Sequence, residues 1–251
     1  MSNKPPEFLV VIPARLGSTR LPRKPLADIG GKPMVIRVAE RAQQSNAQSV
    51  VVATDSSEIQ AACDEFRIEC LLTSTDHPTG TDRIAEVAQL LKLSADTLVV
   101  NVQGDEPLIP PELINQVAET LADNALCSIS TVAVPITDAL EIANPNVVKV
   151  ILNKAGEALY FSRASIPFVR DPETAGNMTH LRHLGIYAYR ADFLQAYTRL
   201  ELAPPEQAEA LEQLRALWNG YRIAVYTASE APPAGVDTPE DLERVRRILS
   251  N

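Results

Sequence analysis

The chain has 251 residues, 45% of them hydrophobic, and a formal net charge of −9. That length allows one sizeable α/β domain, or a domain with a smaller lobe, and the acidic balance excludes the broad basic excess of a nucleic-acid binder. No apolar run approaches the roughly 20 residues needed to cross a bilayer, and the opening MSNKPPEF is too short and polar for a secretory leader, so a cytoplasmic location without membrane contact is expected.

FLVVIP (8–13) predicts a first strand, followed by a loop and then a helix over PMVIRVAERAQQS (33–45), with Pro33 early, where its missing N–H costs little. SVVVAT (49–54) predicts a second strand, Ser56–Asp64 a short helix, and IECLLT (68–73) a third strand. DRIAEVAQLLKL (82–93) is amphipathic through Ile84, Val87, Ala88 and Leu91, and DTLVVNVQ (96–103) and Pro111–Ala122 supply the next strand and helix. Continuous apolar strands alternating with helices predict a parallel sheet covered on both faces.

After about residue 124 the pattern changes. Strands are predicted over 126–135, 147–153, 158–162 and 184–190, the second and third forming a hairpin across KAGE. Helices Ala191–Leu200 and Pro205–Trp218, a strand over 221–228 and a helix Pro239–Leu249 complete the chain. The expected organisation is one domain over 1–251, with residues 1–124 a parallel core and 125–251 a mixed-sheet extension ending in the C-terminal helix. Cys63, Cys70 and Cys127 are odd in number and lack CxxC spacing, which argues against a disulfide framework or structural zinc. The sequon at Asn177 has no meaning in a cytoplasmic protein.

The loop ARLGSTRLPRK (14–24) holds Arg15, Arg20, Arg23 and Lys24 and no acid, against an acidic background. It follows the first strand, at the carboxyl edge where open α/β sheets bind ligands. Arg and Lys suit phosphate oxygens, Gly17 permits close backbone approach, and Ser18 and Thr19 add hydroxyls. Neither GxxxxGK[ST] nor GxGxxG is present. In QGDEP (103–107), Asp105 offers a hard oxygen ligand at a strand end, or else a plain surface turn. Asp237, in GVDTPEDL (235–242), is either a second ligand or part of a helix N-cap. DHPTGTDRI (76–84) opens a helix whose N–H groups suit an anion or a base edge, although Asp82 and Arg83 could instead pair locally. Arg163, His180, Arg182 and His183 gather groups able to receive a carboxylate. In EALEQLRALWNGYRI (209–223), read as one amphipathic helix, Leu211, Leu214 and Leu217 form an apolar stripe, and Glu212 and Gln213 lie off it.

Six segments in order, IPARLGSTRLPRKPL, HPTGTDRIAE, VNVQGDEPLI, RHLGIYAYR, LEQLRALWNGYRI and GVDTPEDLERV, closely resemble the 3-deoxy-manno-octulosonate (Kdo) cytidylyltransferases over nearly the whole chain. The resemblance implies a nucleotide-diphospho-sugar-transferase α/β fold, and a Mg²⁺-dependent cytoplasmic homodimer that transfers CMP from CTP to Kdo for lipopolysaccharide assembly. It implies nucleotide contacts at Ala14, Arg15, Gly17, Ser18, Lys24, Thr79, Gly80, Asp82, Arg83 and Gln103. It implies Mg²⁺ on Asp105 and Asp237, with Arg15, Lys24 and Asp105 as catalytic residues, and a sugar-acid pocket of Arg163, His183, Tyr187, Glu212 and Gln213. The nearest rival is a cytidylyltransferase for another acidic sugar, such as sialic acid. A nucleotide-sensing module is disfavoured by the retained acid pair, and an interaction protein by the lack of repeats or heptads.

Overall fold

Alternating strands and helices build the first half: β1 (Phe8–Ala14), α1 (Met34–Ala42), β2 (Ser49–Thr54), α2 (Ser57–Glu65), β3 (Glu69–Leu72), α3 (Gly80–Leu90), β4 (Leu98–Asn101) and α4 (Pro111–Asp123). The structure is a computed structural model, and it describes residues 5–17, 20–171, 173 and 178–249. Local chemistry sets the helix starts. Pro33 is the N-cap of α1, one residue before its first turn. The Ser56 hydroxyl accepts from the N–H groups of Glu58 and Ile59, and Thr79 caps α3 by accepting from the Asp82 N–H. The basic loop contains one short 3-10 turn, Lys24–Leu26.

The second half supplies β5 (Ile129–Pro135), α5 (Ala139–Ala143), β6 (Lys149–Leu152), β7 (Ala158–Ser162), β8 (Leu181–Arg190), α6 (Ala191–Tyr197), α7 (Pro204–Glu209), α8 (Gln213–Trp218), β9 (Ile223–Thr227) and α9 (Pro239–Leu249). One mixed sheet runs in the order β3-β2-β1-β4-β8-β5-β9, with the antiparallel β6–β7 hairpin attached to β8. β8 is antiparallel to β4 and to β5; the other neighbours along that order are parallel. The expected α/β class with a mixed-sheet second half is the observed one.

Strand alternation sorts the core. Phe8, Val10 and Ile12 pack with α1, α2 and α4 on one face, while Leu9 and Val11 pack with α3, α6 and α8 on the other. A third cluster, in which Ile29 and Met34 meet Val236, Leu242 and Val245, seats α9 against the loop that follows β1. This small cluster returns the C-terminal segment to the N-terminal loop.

Two expectations change. The helix anticipated over Pro205–Trp218 is two helices, because Ala210 adopts the left-handed region at φ 50° and ends α7. The Arg163 guanidinium binds the carbonyls of Glu209 (2.6 Å) and Ala210 (3.5 Å) at that break, so carbonyls that would continue a helix are drawn sideways. The last strand of the second half's antiparallel set begins at Leu181, three residues before the apolar run suggested, because Leu181 and Arg182 pair with β6 as well as β5.

Backbone closeness around Gly104 and Gly235 fixes the carboxyl edge of the sheet. A Cβ on Gly104 would sit 2.9 Å from the Pro13 carbonyl oxygen, and one on Gly235 would sit 3.0 Å from that of Asp105. The Val236 N–H donates to the same Asp105 carbonyl at 2.8 Å. Gly104→Ala should therefore force β4's loop off β1 and lower stability by roughly 1–3 kcal/mol, measured as a fall in the urea midpoint. An unchanged midpoint would show that the two loops are not held in contact.

Candidate active site

A cleft of about 500 Å³ opens at the carboxyl ends of β1 and β4. Ala14, Arg15, Gly17 and Lys24 line one side, His77, Thr79, Gly80 and Arg83 another, and Gln103, Gly104, Asp105 and Asp237 a third. Arg15 and Gly17 are exposed at its mouth. Ser18 lies outside the described residues.

Asp105 and Asp237, 132 positions apart in the sequence, meet at one cation. The Lys24 ammonium lies 2.6 Å from Asp105 Oδ2, 3.0 Å from Asp237 Oδ1 and 3.0 Å from the Val236 carbonyl oxygen. Burial opposes the charge on Lys24, but its hydrogen bonds and charge contacts with Asp105 and Asp237 outweigh this and hold its pKa above the ordinary 10.5. Arg20 adds an exposed ion pair to Asp237 at 3.2 Å. Asp237 is itself anchored from α9. The Asp241 carboxylate accepts from the N–H groups of Asp237 and Thr238, both at 3.1 Å, and Thr238 caps the helix by accepting from the Asp241 N–H. The sequence offered Asp237 as either ligand or cap residue; the cap is Thr238, and Asp237 faces the cleft. Two carboxylates and a carbonyl around one cationic point form a hard-oxygen donor set, which fits a magnesium-type ion. Behind them, burial and the Asp105 charge push Glu106 up to about 7.

The start of α3 forms the opposite wall. Asp82 does not pair with Arg83: its carboxylate accepts from the Thr79 hydroxyl at 2.7 Å, within the helix cap. Arg83 is buried and donates to Asp55 at 2.6 Å and to the Thr73 hydroxyl. His77 joins Glu86, which also accepts from the Ser74 N–H at 2.9 Å. These contacts rigidify the 73–83 segment that borders the cleft.

A second cavity, about 250 Å³, adjoins the first and shares Gly80, Gln103 and Glu212 with it. Its wall is aromatic, with Tyr187, Tyr189, Phe193 and Tyr197, and it also carries Thr81, Asn101 and Gln213. The register of β5 against β8 slips between Thr131 and Val132, leaving Gly185 and Ile186 out of the pairing, and the Gly185 carbonyl accepts from Gln103 at 3.0 Å. Glu212 accepts from Thr81 at 3.0 Å and touches both cavities; it keeps solvent access, yet desolvation by the protein packed around its carboxyl pushes the pKa up.

Three of the five residues assigned to the sugar-acid pocket, Tyr187, Glu212 and Gln213, line this cavity. Arg163 and His183 line neither cavity. The Arg163 guanidinium is committed to backbone carbonyls of Glu209, Ala210 and Pro145. His183 lies against the aromatic side of the core, 4.9 Å from the Phe161 ring centroid. The Thr131 hydroxyl donates to the Ile186 carbonyl at 2.7 Å, so His183 Nε2 is the donor to it at 2.9 Å. Asn101, Tyr189 and Tyr197 line the smaller cavity as well and lie outside the expected set. A signal was available for Asn101, a polar residue ending the otherwise apolar strand LVVN.

A roomy cleft lined by a basic loop and a facing acid pair, joined to an aromatic-walled cavity at the edge of this sheet, defines a nucleotide-handling transferase. The cytidylyltransferase family model matches residues 9–223, and the chain belongs to that family. It is 84% identical over 248 residues to the 3-deoxy-manno-octulosonate cytidylyltransferase of Polynucleobacter necessarius subsp. necessarius (strain STIR1), covering 99% of this chain and 98% of that one. It is 57% identical to the enzyme of the same name from Herminiimonas arsenicoxydans, covering 97% and 99%. A solved CMP:2-keto-3-deoxy-manno-octonic acid synthetase complexed with CTP superposes with a TM-score of 0.90 at 43% identity, covering 98% of this chain and 99% of that one. A cytidylyltransferase from Leptospira borgpetersenii serovar Hardjo-bovis (strain JB197), at TM-score 0.62 and 16% identity over 97% and 86% of the two chains, shares the fold.

The surroundings of His183 generate a pH prediction. Burial drives its pKa from the ordinary 6.5 down to about 3. Below pH 6.5 the unfolded chain binds a proton that the folded chain refuses, so this residue makes stability fall with decreasing pH until about pH 3. The slope is at most one proton, about 1.4 kcal/mol per pH unit. In His183→Gln the urea midpoint should vary less between pH 6.5 and 4.5 than in the wild type. Parallel profiles would mean that His183 titrates alike in the folded and unfolded chains.

Proposed function

We propose that the chain transfers CMP from CTP to the anomeric hydroxyl of Kdo, releasing pyrophosphate and supplying CMP-Kdo for lipopolysaccharide assembly. The observation that carries this reading is the meeting of Asp105 and Asp237 at Lys24, beside the basic loop and next to an adjoining aromatic-walled cavity. The names and identities of the relatives support Kdo over sialic acid as acceptor. In this reading residues 1–124 supply most of the nucleotide side and residues 125–251 most of the acceptor side. Asp237 is the exception, carried back by α9.

Ala14, Arg15, Gly17, Ser18 and Lys24 serve the triphosphate, while Thr79, Gly80, Asp82, Arg83 and Gln103 border the cytidine. Arg83 and Asp82 do so as the framework of the α3 start, given their protein partners. Asp105 and Asp237 would hold Mg²⁺, which when bound neutralises triphosphate charge and acidifies a nearby hydroxyl. Lys24 then exchanges its carboxylate partners for phosphate oxygens, offsetting charge that builds on the leaving group, as Arg15 does from the mouth. Tyr187, Glu212 and Gln213 hold the sugar acid so that its hydroxyl lies in line with the α-phosphorus. Arg163 acts from behind them by fixing the Glu209–Ala210 break.

The protein works without nucleic acid or membrane, in the cytoplasm, as a homodimer. Among the described residues no helix is long and apolar enough to cross a membrane. Phe168 and Leu140 are large apolar side chains left 84% and 80% exposed, which a second copy could cover.

Pyrophosphate release from CTP across a panel of sugar acids tests the reading, and turnover should be confined to Kdo or its close analogues. Asp105→Asn and Asp237→Asn should each lose at least about 100-fold in kcat at saturating Mg²⁺, with unchanged circular dichroism. Near-normal Mg²⁺-dependent rates in either variant would remove the metal assignment. Lys24→Ala should raise the KM for CTP far more than that for Kdo.

A further inference from the structure

Three buried side-chain atoms have no hydrogen-bond partner among the described residues: Asn101 Oδ1, the Tyr197 hydroxyl and Gln213 Nε2. All three residues line the smaller cavity, and they are only 4%, 2% and 8% exposed. Leaving such an atom unsatisfied is costly, so three in one cavity mark groups kept open for a ligand. They form a mixed set: an acceptor on Asn101, a donor on Gln213, and a hydroxyl on Tyr197 that does either. That set suits a polyhydroxylated molecule better than an apolar one.

The tyrosine is also held from outside the cavity. The Arg215 guanidinium lies 4.5 Å from the Tyr197 ring centroid, and Phe193 packs at 5.8 Å. Arg215 is fixed in turn by Glu206, to which it donates through Nε (2.9 Å) and Nη2 (2.6 Å), both residues being buried. Glu206 also accepts from the Ala203 N–H at 3.2 Å, which ties the pair to the start of α7. The ring is thereby located by its face, and its hydroxyl is left unpaired.

We infer that Tyr197 and Asn101 are specificity-determining residues that read hydroxyl groups of the acceptor on the side away from its reacting carbon, and that the Glu206–Arg215 pair is the positioning device for Tyr197. The inference rests on the proposed CMP transfer to a sugar acid. There the reacting hydroxyl must face the triphosphate cleft across Gly80, Gln103 and Glu212, and the rest of the sugar fills the smaller cavity. A site built to hydrogen-bond a hydroxyl rejects an analogue lacking it, because its own buried polar atoms then stay unpaired.

Steady-state pyrophosphate release with CTP and Kdo, run on the full chain, provides the test. Tyr197→Phe keeps the ring on Arg215 and removes only the hydroxyl. Its KM for Kdo should rise roughly tenfold, with the KM for CTP within about twofold and no loss of thermal stability. Among Kdo analogues each lacking one hydroxyl, one should show the same KM on wild type and Tyr197→Phe. Asn101→Leu should give the same split with a different analogue, and Glu206→Gln should raise the KM for Kdo without moving that for CTP. An unchanged KM for Kdo in Tyr197→Phe, or equal rises in both KM values, overturns the inference while leaving CMP transfer intact. A wild type that transfers CMP to no sugar acid overturns both.

Discussion

The structure turns on one electrostatic arrangement, two carboxylates held within 3.0 Å of a single ammonium nitrogen. Like charges brought this close repel unless a cation lies between them, so the folded chain needs either Lys24 or another cation at that point. The backbone does the forcing. The Val236 N–H on the Asp105 carbonyl, and Gly235 with no side chain to intrude there, press the C-terminal segment onto the loop after β4. The apolar cluster under α9 keeps it in place, with Val236 itself fully buried. A site assembled from both ends of the chain thus depends on a few close backbone contacts, and its charges are the load those contacts carry.

The same geometry separates two tasks. Polar and cationic groups from the edge of the parallel half surround the larger cleft, whereas the smaller cavity is walled by aromatic rings from β8 and α6. Gly80, Gln103 and Glu212 belong to both, so in the proposed reading they lie where the two substrates meet. Inserting β8 antiparallel between β4 and β5 makes this join possible, since its irregular register exposes the Gly185 carbonyl to Gln103.

Much of this was legible in the sequence, for identifiable reasons. Apolar runs such as SVVVAT and caps such as Ser56 and Thr79 act locally, and so the strands and helix starts follow from the residues themselves. The convergence of Asp105 and Asp237 follows only from the family resemblance, because the 131 intervening residues carry no local signal of it. The break at Ala210 was hidden for a different reason. Leu211, Leu214 and Leu217 keep helical spacing, and the interruption is imposed by Arg163 from another strand's end. That contact also explains why a guanidinium read as a carboxylate receptor lines neither cavity: its donors are occupied by backbone. Tyr197 escaped notice because an aromatic residue at helical spacing has the pattern of core, and only its unpaired hydroxyl distinguishes it.

A continuous file of rings links these parts. Phe161, His183, Tyr187, Tyr189, Phe193 and Tyr197 follow one another at centroid distances between 4.9 and 6.1 Å. The residues on β8 recur at even spacing and so share a sheet face, while Phe193 and Tyr197 are four apart and share a helix face. His183 sits within that file as a neutral ring, kept so by burial that disfavours its charged form. A cation there would face desolvation with, among the described residues, the Thr131 hydroxyl to meet it. The histidine therefore contributes shape and one hydrogen bond to the wall behind Tyr187. Positive charge is instead concentrated in the loop after β1, where solvent and carboxylates make charge affordable.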